Sequence, residues 1–318
     1  MNGDLCTAVS IVEVSPRDGL QNEPESIATH QKLAMIGRLI DAGARRLEVA
    51  SFVDPRRVPQ MADAEAVIAG LPNRGDVSYI GLCLNKRGVL RAIESRAAGG
   101  RGVDEAGCVI VATDSFGERN QGQTVAQGIA ANREMLRLAH SAGLKGQVTI
   151  SAAFGCPFEG IVPAERVVRI AIEMAEAGAA EIALADTIGV AVPSQVSELF
   201  GLVRAAIGAI PLRAHFHDTR GMGPANAWAA YQAGVATLDS SLGGLGGCPF
   251  APAATGNVAT EELLYLFERS AVSTGIAIDA VIAANKWFEA ILGRPLSSKV
   301  GRAGNFLSTP VSNVRDNR

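Results

Sequence analysis

The feature that most constrains the fold of this chain is a regular alternation of short β-rich runs with longer helical patterns. Helices are predicted between the strands, and in 164–177 apolar residues recur at the i, i+3, i+4 and i+7 spacing of an amphipathic helix. Alternating strands and helices are typical of a parallel sheet covered by helices. The predicted strands lie near 10–14, 45–51, 77–83, 107–112, 147–153, 180–185, 211–216 and 235–241.

A weak internal repeat supports this alternation. Segments 41–49, 176–183 and 232–239 each read as a helix end, a glycine stop and a new strand. Eight such units fit a (β/α)8 TIM barrel, an α/β fold. The alternative is a doubly wound open sheet, but no G-x-G-x-x-G follows the first strand. With an eighth helix near 261–270 and a further one near 278–292, we expect a catalytic barrel over 1–304 with one or two extra C-terminal helices, and a flexible tail over 305–318.

Composition argues against several classes of protein. The chain has 318 residues, is 48% hydrophobic and carries a net charge of −3. Its Lys and Arg residues are scattered, so no basic stripe predicts nucleic-acid binding, and no apolar run is long enough to predict a membrane span. The first residues lack the pattern of a signal or transit segment, so we expect a cytoplasmic protein. Five widely spaced cysteines do not predict a disulfide framework.

The segment 215–218, His-Phe-His-Asp, points to a metal site. His215 and His217 are two of only four histidines. Because side chains alternate along a strand, both imidazoles face the same way, and paired imidazoles can bind a divalent cation. The alternative is a strand with two ordinary hydrogen-bonded histidines.

Further polar residues fall where predicted strands end, which is where the active sites of barrels lie. Each also has a structural explanation: a surface turn for 17–19, a buried ion pair for Glu48, a helix cap for Asp186 or Asn257, an inert thiol for Cys248. Their common position on one rim favours function. The candidates are Arg17, Asp18 and Gln21 after strand 1, Glu48 in strand 2, Asp186 at the end of strand 6, and Cys248 and Asn257 after strand 8.

The glycine-rich run 243–247 lacks the Gly-Lys-Ser/Thr ending of a nucleotide-binding loop. Its glycines predict a flexible flap instead. A cysteine on a moving flap, as Cys248 would be, suits a proton donor that approaches when the site closes.

Together these residues resemble the 3-hydroxy-3-methylglutaryl-CoA lyases, a family of metal-dependent barrels. The resemblance covers roughly 10–303. The cysteine-bearing flap and R-D-G-L-Q are specific to the lyases, whereas H-x-H-D-T also fits condensing synthases. The matching strings are V-E-V-S-P-R-D-G-L-Q-N-E (12–23), V-P-Q-M-A-D (58–63), G-C-P-F-E-G (155–160), A-D-T-I-G-V (185–190), H-F-H-D-T (215–219), G-L-G-G-C-P-F-A (244–251) and T-G-N-V-A-T-E (255–261).

The resemblance implies a role for each candidate. Arg17 would stabilise the enolate oxygen, Glu48 and Asp186 would orient ligands and substrate, and Cys248 would donate a proton. Gln21 would lie in the pocket. Either Asp18 or His215 could be the base. The implied metal ligands are Asp18, His215, His217 and Asn257, a set that suits Mg²⁺ or Mn²⁺.

The implied reaction is metal-dependent retro-Claisen cleavage of 3-hydroxy-3-methylglutaryl-CoA to acetyl-CoA and acetoacetate. A lyase for a related acyl-CoA, such as citramalyl-CoA or a longer-branched homologue, is the first alternative. A condensing acyltransferase of the isopropylmalate-synthase type is less favoured, because little chain follows the barrel, and a non-catalytic binding barrel is disfavoured by the intact constellation. We also expect a homodimer or higher homo-oligomer.

The chain departs from the family pattern at several places. Ala183 and Ala185 stand where the family has Ser and Gly, Pro24 stands where it has Lys, and Arg56-Arg57 replaces a usual Lys-Trp pair. Arg220 stands where the family usually has Tyr, and we expect it to bind a substrate carboxylate unless it forms a surface ion pair. These differences bear on the substrate more than on the chemistry.

Overall fold

Eight parallel strands close into a barrel. The structure, a computed structural model, describes residues 7–97, 100–248 and 251–306, with the backbone alone for residues 97, 248 and 251–255. Each strand pairs with the next, and β1 pairs with β8 through Ile11 and Leu238 to complete the closure. The strands are β1 (Ser10–Glu13), β2 (Arg46–Ser51), β3 (Ser78–Cys83), β4 (Glu105–Val111), β5 (Lys145–Ser151), β6 (Ile182–Asp186), β7 (Leu212–Phe216) and β8 (Thr237–Ser240).

Helices connect successive strands and surround the barrel. After β8 come a two-stranded hairpin, β9 (Gly247–Cys248) with β10 (Ala251–Thr255), and three further helices. The helices are α1 (Thr29–Asp41), α2 (Ala64–Ala69), α3 (Lys86–Ala97), α4 (Asp114–Gln121), α5 (Val125–Ser141), α6 (Ala164–Glu176), α7 (Pro193–Ile207), α8 (Gly223–Gln232), α9 (Thr260–Arg269), α10 (Ile278–Leu292) and α11 (Lys299–Ala303).

The large apolar core lies between the strands and the helices. In β2, Leu47 and Val49 belong to this core, whereas Glu48 between them borders the cavity of the barrel. The alternation follows from strand geometry, since successive side chains point to opposite faces. A charged residue in the middle of an apolar strand therefore marks the inner wall.

The inside of the barrel combines polar and apolar side chains. A small apolar cluster of Val12, Val14 and Ile80 is separate from the main core, and Val109 and Val111 line the cavity. Below the cavity, Arg46 forms buried ion pairs with Glu105 at 2.6 Å and Glu181 at 2.8 Å. A barrel interior is usually filled by branched apolar side chains, so the charges here require partners, and they have them.

The predicted barrel is confirmed. All eight predicted strands are present within two residues of their expected ends, and the amphipathic run at 164–177 is α6. The two predicted late helices are α9 and α10, with α11 as a short addition. The sequence analysis missed the π-helical turn Ser15–Gly19 and the hairpin of β9 and β10. The division into 1–304 and a tail stays a prediction, and most of the tail lies outside the described residues.

No helix in the described part of the chain combines the length and apolarity needed to cross a bilayer.

Candidate active site and metal centre

The turn after β1 presents two of the predicted site residues, Arg17 and Asp18. It is a π-helical turn, in which the carbonyl of Val14 accepts from the backbone N–H of Gly19 at 3.2 Å. The buried carboxylate of Glu13 supports it by accepting from Ser15 N at 3.0 Å, and also from Leu242 N at 3.0 Å and Thr260 Oγ1 at 2.7 Å. Because Leu242 and Thr260 both follow β8 in the sequence, Glu13 connects the turn after β1 to the segments after the last strand of the barrel.

The two histidines lie opposite this turn. His215 is in β7 and His217 immediately follows it, with ring centroids 5.3 Å apart. One ligand atom each of Asp18, His215 and His217 lies within 4.8 Å of the others. His217 also forms a backbone bridge to Asn257, whose Nδ2 donates to Asp18 Oδ2 at 2.9 Å. The structure thus brings together the four predicted metal ligands.

The unpaired atoms of this cluster fit a divalent cation. His217 Nδ1 and Asn257 Oδ1 are buried and have no hydrogen-bond partner among the described residues. Buried polar atoms are nearly always paired, so two orphans beside one carboxylate need an explanation. One carboxylate, one amide oxygen and two imidazoles are donors that Mg²⁺ and Mn²⁺ accept.

Electrostatics keep Asp18 and His217 in the protonation states that a cation needs. Burial opposes ionisation of Asp18, but the charge of Arg17, followed by that of His215, outweighs it and holds the pKa of Asp18 at about 2. Burial, helped by His215, lowers the pKa of His217 to about 4. At neutral pH the carboxylate is therefore charged and the His217 ring neutral, the forms that act as ligands.

His215 is held by a carboxylate that the sequence analysis did not single out. Its Nδ1 lies 3.1 Å from Asp239 Oδ2. Burial opposes protonation of His215, but the hydrogen bond and charge of Asp239 outweigh it and raise the pKa of His215. Because a carboxylate only accepts, this hydrogen bond places the proton of the neutral ring on Nδ1, and the lone pair of Nε2 is then left for a cation.

Arg17 connects Asp18 to Glu48. Its Nη1 donates to Asp18 Oδ1 at 2.7 Å and its Nη2 to Glu48 Oε2 at 2.5 Å. Burial raises the pKa of Glu48, although Arg17 opposes that shift. Gln21 lies beside the pair, with its Oε1 3.3 Å from Arg17 Nη1. A guanidinium held by two carboxylates is a fixed positive charge on the cavity wall.

Asp186 and Arg220 lie on the same rim but bind backbone. Asp186 is buried, and its two oxygens accept from Val190 N and Ala191 N, each at 2.9 Å. Burial raises the pKa of Asp186. Arg220 is exposed and donates from Nη1 to the carbonyl of Gly189 at 2.8 Å. Both side chains therefore shape the loop after β6, and neither is among the described residues that line the cavity.

The glycine-rich loop passes directly over the cluster. Gly246 has φ +112°, and a Cβ placed on it would lie 2.5 Å from Asn257 Nδ2. The first part of the loop is anchored, because Gly243 N donates to the buried Glu261 and its carbonyl accepts from Ser298 N at 3.0 Å. The side chain of Cys248 lies outside the described residues, so its predicted role stays a prediction.

A cavity of about 880 Å³ opens at this end of the barrel. It is lined by Arg17, Asp18, Glu48 and both histidines, and its walls include Arg57 and Arg119 towards solvent. This volume lies within the usual range of ligand pockets. The cluster is thus open to a ligand of substantial size.

Comparison with known families agrees with this arrangement. The sequence model described as HMGL-like matches residues 8–287. The chain belongs to the HMGL-like family. This family is that of the 3-hydroxy-3-methylglutaryl-CoA lyases, so the resemblance noted from the sequence is confirmed.

Its HMGL-like relatives cover nearly the whole chain. An (R)-citramalyl-CoA lyase of Chloroflexus aurantiacus is 42% identical over 93% of this chain and 95% of its own length. A hydroxymethylglutaryl-CoA lyase of Bacillus subtilis is 38% identical over 92% and 95%. A solved HMG-CoA lyase from Acinetobacter baumannii, in complex with coenzyme A and 3-methylmalate, has a TM-score of 0.90 at 36% identity over 98% and 99%. The predicted class of enzyme, an acyl-CoA lyase, is confirmed through these HMGL-like relatives.

Two polar residues of the inner wall, Arg213 and Asp239, escaped the sequence analysis of this HMGL-like chain. Both border the cavity, and Asp239 holds His215. The signal that revealed Glu48, a charged residue inside an otherwise apolar strand, was also present in β7 and β8.

Proposed function

We propose that this protein cleaves 3-hydroxy-3-methylglutaryl-CoA to acetyl-CoA and acetoacetate with the help of Mg²⁺ or Mn²⁺. The observation that carries the proposal is the cluster of Asp18, His215 and His217 facing Arg17 across one cavity. A cation at this cluster would polarise the tertiary hydroxyl of the substrate and lower its pKa. Family membership supports the proposal, since hydroxymethylglutaryl-CoA lyases are among the relatives.

The residues can divide the reaction among themselves. The pair Asp18 and His215 supplies the acceptor for the hydroxyl proton. As the C3–oxygen bond becomes a carbonyl, the bond between C2 and C3 breaks, and its electron pair moves onto the acetyl-CoA fragment as an enolate. Arg17, which is held by Glu48, would stabilise the negative charge that develops on the thioester oxygen. A proton from Cys248 to the enolate carbon then gives acetyl-CoA.

A second substrate has support of its own. The relative from Chloroflexus aurantiacus is named an (R)-citramalyl-CoA lyase, and the relative from Acinetobacter baumannii binds 3-methylmalate beside coenzyme A. Citramalyl-CoA also has a tertiary hydroxyl next to the bond that breaks, and its cleavage would give acetyl-CoA and pyruvate. The same cluster and the same arginine serve both reactions.

A substrate panel tests the proposal. The enzyme loaded with Mn²⁺ is incubated with 3-hydroxy-3-methylglutaryl-CoA, with both enantiomers of citramalyl-CoA, and with a longer-branched homologue. Acetoacetate, pyruvate and acetyl-CoA are quantified. We expect the highest kcat/KM for 3-hydroxy-3-methylglutaryl-CoA. A higher kcat/KM for (R)-citramalyl-CoA would change the assigned substrate but not the lyase reaction. Free CoA formed from acetyl-CoA and a 2-oxo acid would instead indicate a condensing enzyme.

Removing the metal tests whether the reaction requires a divalent cation. Treatment with a chelator should abolish turnover, and added Mg²⁺ or Mn²⁺ should restore it. Unchanged turnover in protein shown to be free of metal would contradict the metal-dependent reaction. A homodimer or higher homo-oligomer and a cytoplasmic location remain part of the proposal, and sedimentation analysis and cell fractionation measure them directly.

A further inference from the structure

A chain of buried ion pairs runs through the barrel towards the candidate metal centre. It begins below the cavity, where Arg46 donates to Glu105 and, through both Nη atoms, to Glu181 at 2.8 Å. Arg213 shares Glu181, with its Nε 3.3 Å from Oε1. The side chains of Glu181 and Arg213 are only 4% and 5% exposed, so each charge depends on its neighbours in the chain for compensation.

Arg213 connects this chain to Asp239. Its Nη1 donates to Asp239 Oδ1 at 3.2 Å, and its Nη2 donates to Thr149 Oγ1 at 3.2 Å. Asp239 lies on β8, Thr149 on β5 and Glu181 just before β6, so groups from three other parts of the barrel surround the guanidinium of Arg213. The contact with Glu181 is an ion pair, because Nε has no hydrogen-bond partner among the described residues. The planar fork of the guanidinium thus binds Asp239 with one nitrogen and Thr149 with the other, which restricts the position of the Asp239 carboxylate.

Asp239 uses its two oxygens for different partners. Oδ1 accepts from Arg213, and Oδ2 faces Nδ1 of His215 at 3.1 Å. A carboxylate bound at both ends cannot turn away from the imidazole. Its position therefore determines the tautomer of His215 and the direction of Nε2, the nitrogen left for a cation.

We propose that Arg213 and Asp239 act together as positioning residues, which hold the imidazole of His215 with Nε2 aimed at the metal. The proposal rests on the metal centre of the proposed function. Arg46 and Glu105 form the end of this series of ion pairs that is furthest from His215, and their charges compensate each other. We therefore expect them to contribute to stability and not to the direction of the imidazole.

Two measurements on purified protein test this without relying on turnover. The first is the imidazole Nδ1–H proton resonance of His215 in metal-free protein, assigned by its disappearance in His215→Gln. The second is the dissociation constant of Mn²⁺ by titration calorimetry. In wild type we expect a downfield, slowly exchanging proton, as a hydrogen bond to a buried carboxylate produces.

Asp239→Asn should shift this resonance upfield and speed its exchange, and should raise the Mn²⁺ dissociation constant by about 10–100-fold, the usual effect of losing a partner of a metal-binding histidine. Arg213→Lys keeps the charge but loses the fork, and should change both readouts in the same direction to a smaller extent. Thr149→Val removes one anchor of Arg213 without any change of charge, so it reports on positioning even if a charged variant folds poorly.

Arg46→Lys is the control, because Arg46 also forms an ion pair with Glu181, and its side chain is 12% exposed against 5% for Arg213. This substitution should lower the melting temperature, but the proton resonance and the Mn²⁺ affinity should keep their wild-type values. Equal effects of Arg46→Lys and Arg213→Lys on Mn²⁺ affinity, or wild-type readouts in both Asp239→Asn and Thr149→Val, would overturn the positioning role. Failure of wild type to bind Mn²⁺ would instead defeat the proposed metal centre, while the proton resonance would still report on the orientation of His215.

Discussion

At the scale of single residues, we expect the proposed chemistry to depend on Asp18 more than on any other side chain. It is the one carboxylate of the candidate metal cluster, and it also binds Arg17 and Asn257. Loss of its charge would therefore affect the cation and the fixed guanidinium together.

Asp18→Asn should lower kcat by at least about 100-fold, because the cluster loses both a charged ligand and a candidate proton acceptor. Steady-state kinetics over a range of Mn²⁺ concentrations measure the loss. The control is Asp54→Asn, which removes one carboxylate from the cavity wall away from the cluster. Equal rates for the two variants would show that Asp18 has no special role.

The proposed proton donor gives a second prediction at this scale. Cys248→Ser should reduce kcat by about 100-fold or more, because a hydroxyl is a far poorer acid than a thiol and general-acid catalysis contributes effects of this size. The melting temperature should not change. Cys108→Ser, at a buried position in β4, is the control for the general effect of replacing a cysteine by serine. Turnover of Cys248→Ser near that of wild type would remove the thiol from the mechanism.

The residues that the sequence analysis missed were missed for a physical reason. Polar residues at the ends of strands, including the paired histidines, can be recognised in the sequence because they interrupt apolar runs. Asp239 and Arg213 lie deeper in the barrel, and their importance comes from each other and from His215. A charged residue inside an apolar strand marks each of them as part of the inner wall, but no spacing along the chain shows the contact that joins β7 to β8.

At the scale of elements, the glycine-rich loop is defined by how closely it approaches the cluster. Gly246 at φ +112° leaves no room for a side chain beside Asn257. Sequence composition predicted glycines that permit unusual backbone angles, and this is confirmed at positions 243, 244 and 246. It predicted free movement as well, whereas Glu261 and Ser298 hold the start of the loop; movement of the remainder stays a prediction.

Gly246→Ala should weaken Mn²⁺ binding by about 10-fold or more, because the added methyl group displaces Asn257 from Asp18, a partner of the metal site. Calorimetric titration of the variant measures this. Gly178→Ala is the control, since Gly178 has φ +85° with open space around its missing side chain. An alanine there is also strained by the positive φ, so the variant should have a lower melting temperature and an unchanged Mn²⁺ affinity. A similar loss of affinity in both variants would assign the effect to strain alone.

The buried carboxyl group of Glu261 should make the stability of this part of the fold depend on pH. It joins the loop to α9 and α10, since it accepts from Gly243 N at 3.0 Å and from Asn285 Nδ2 at 2.7 Å. Burial raises the pKa of Glu261 from 4.5 to about 8. Between these two values the folded state keeps a proton that the unfolded state releases, so stability falls as pH rises from about 4.5 to 8.

Glu261→Gln should remove this contribution, because glutamine stays neutral while its oxygen can still accept from Gly243. Chemical denaturation at several pH values should show a shallower fall of the unfolding free energy in the variant than in wild type, with a difference of several kcal/mol across the window at most. Glu268→Gln, an exposed position on the same helix, is the control and should follow wild type. Parallel curves for all three proteins would mean that Glu261 is ionised in the folded state.

At the scale of the whole molecule, the candidate metal centre lies across the seam of the barrel. Asp18 follows β1 and His215 belongs to β7, while β8 between them pairs with both strands. A cation bound to Asp18 and His215 would therefore join the first strand to the last part of the barrel, in addition to the backbone pairing of β1 with β8. The unfolded chain has no such preformed site, so binding favours the folded state.

Saturating Mn²⁺ should for this reason raise the melting temperature of metal-free protein. At a free concentration about 100 times the dissociation constant, the expected stabilisation is about 2.7 kcal/mol, and it should grow with the logarithm of the concentration. Asp18→Asn should lose most of the shift, and Asp54→Asn should keep it. A shift of the same size in Asp18→Asn would place the stabilising ion elsewhere, and no shift in wild type would mean that the strands of the seam are held by their own hydrogen bonds and not by a cation.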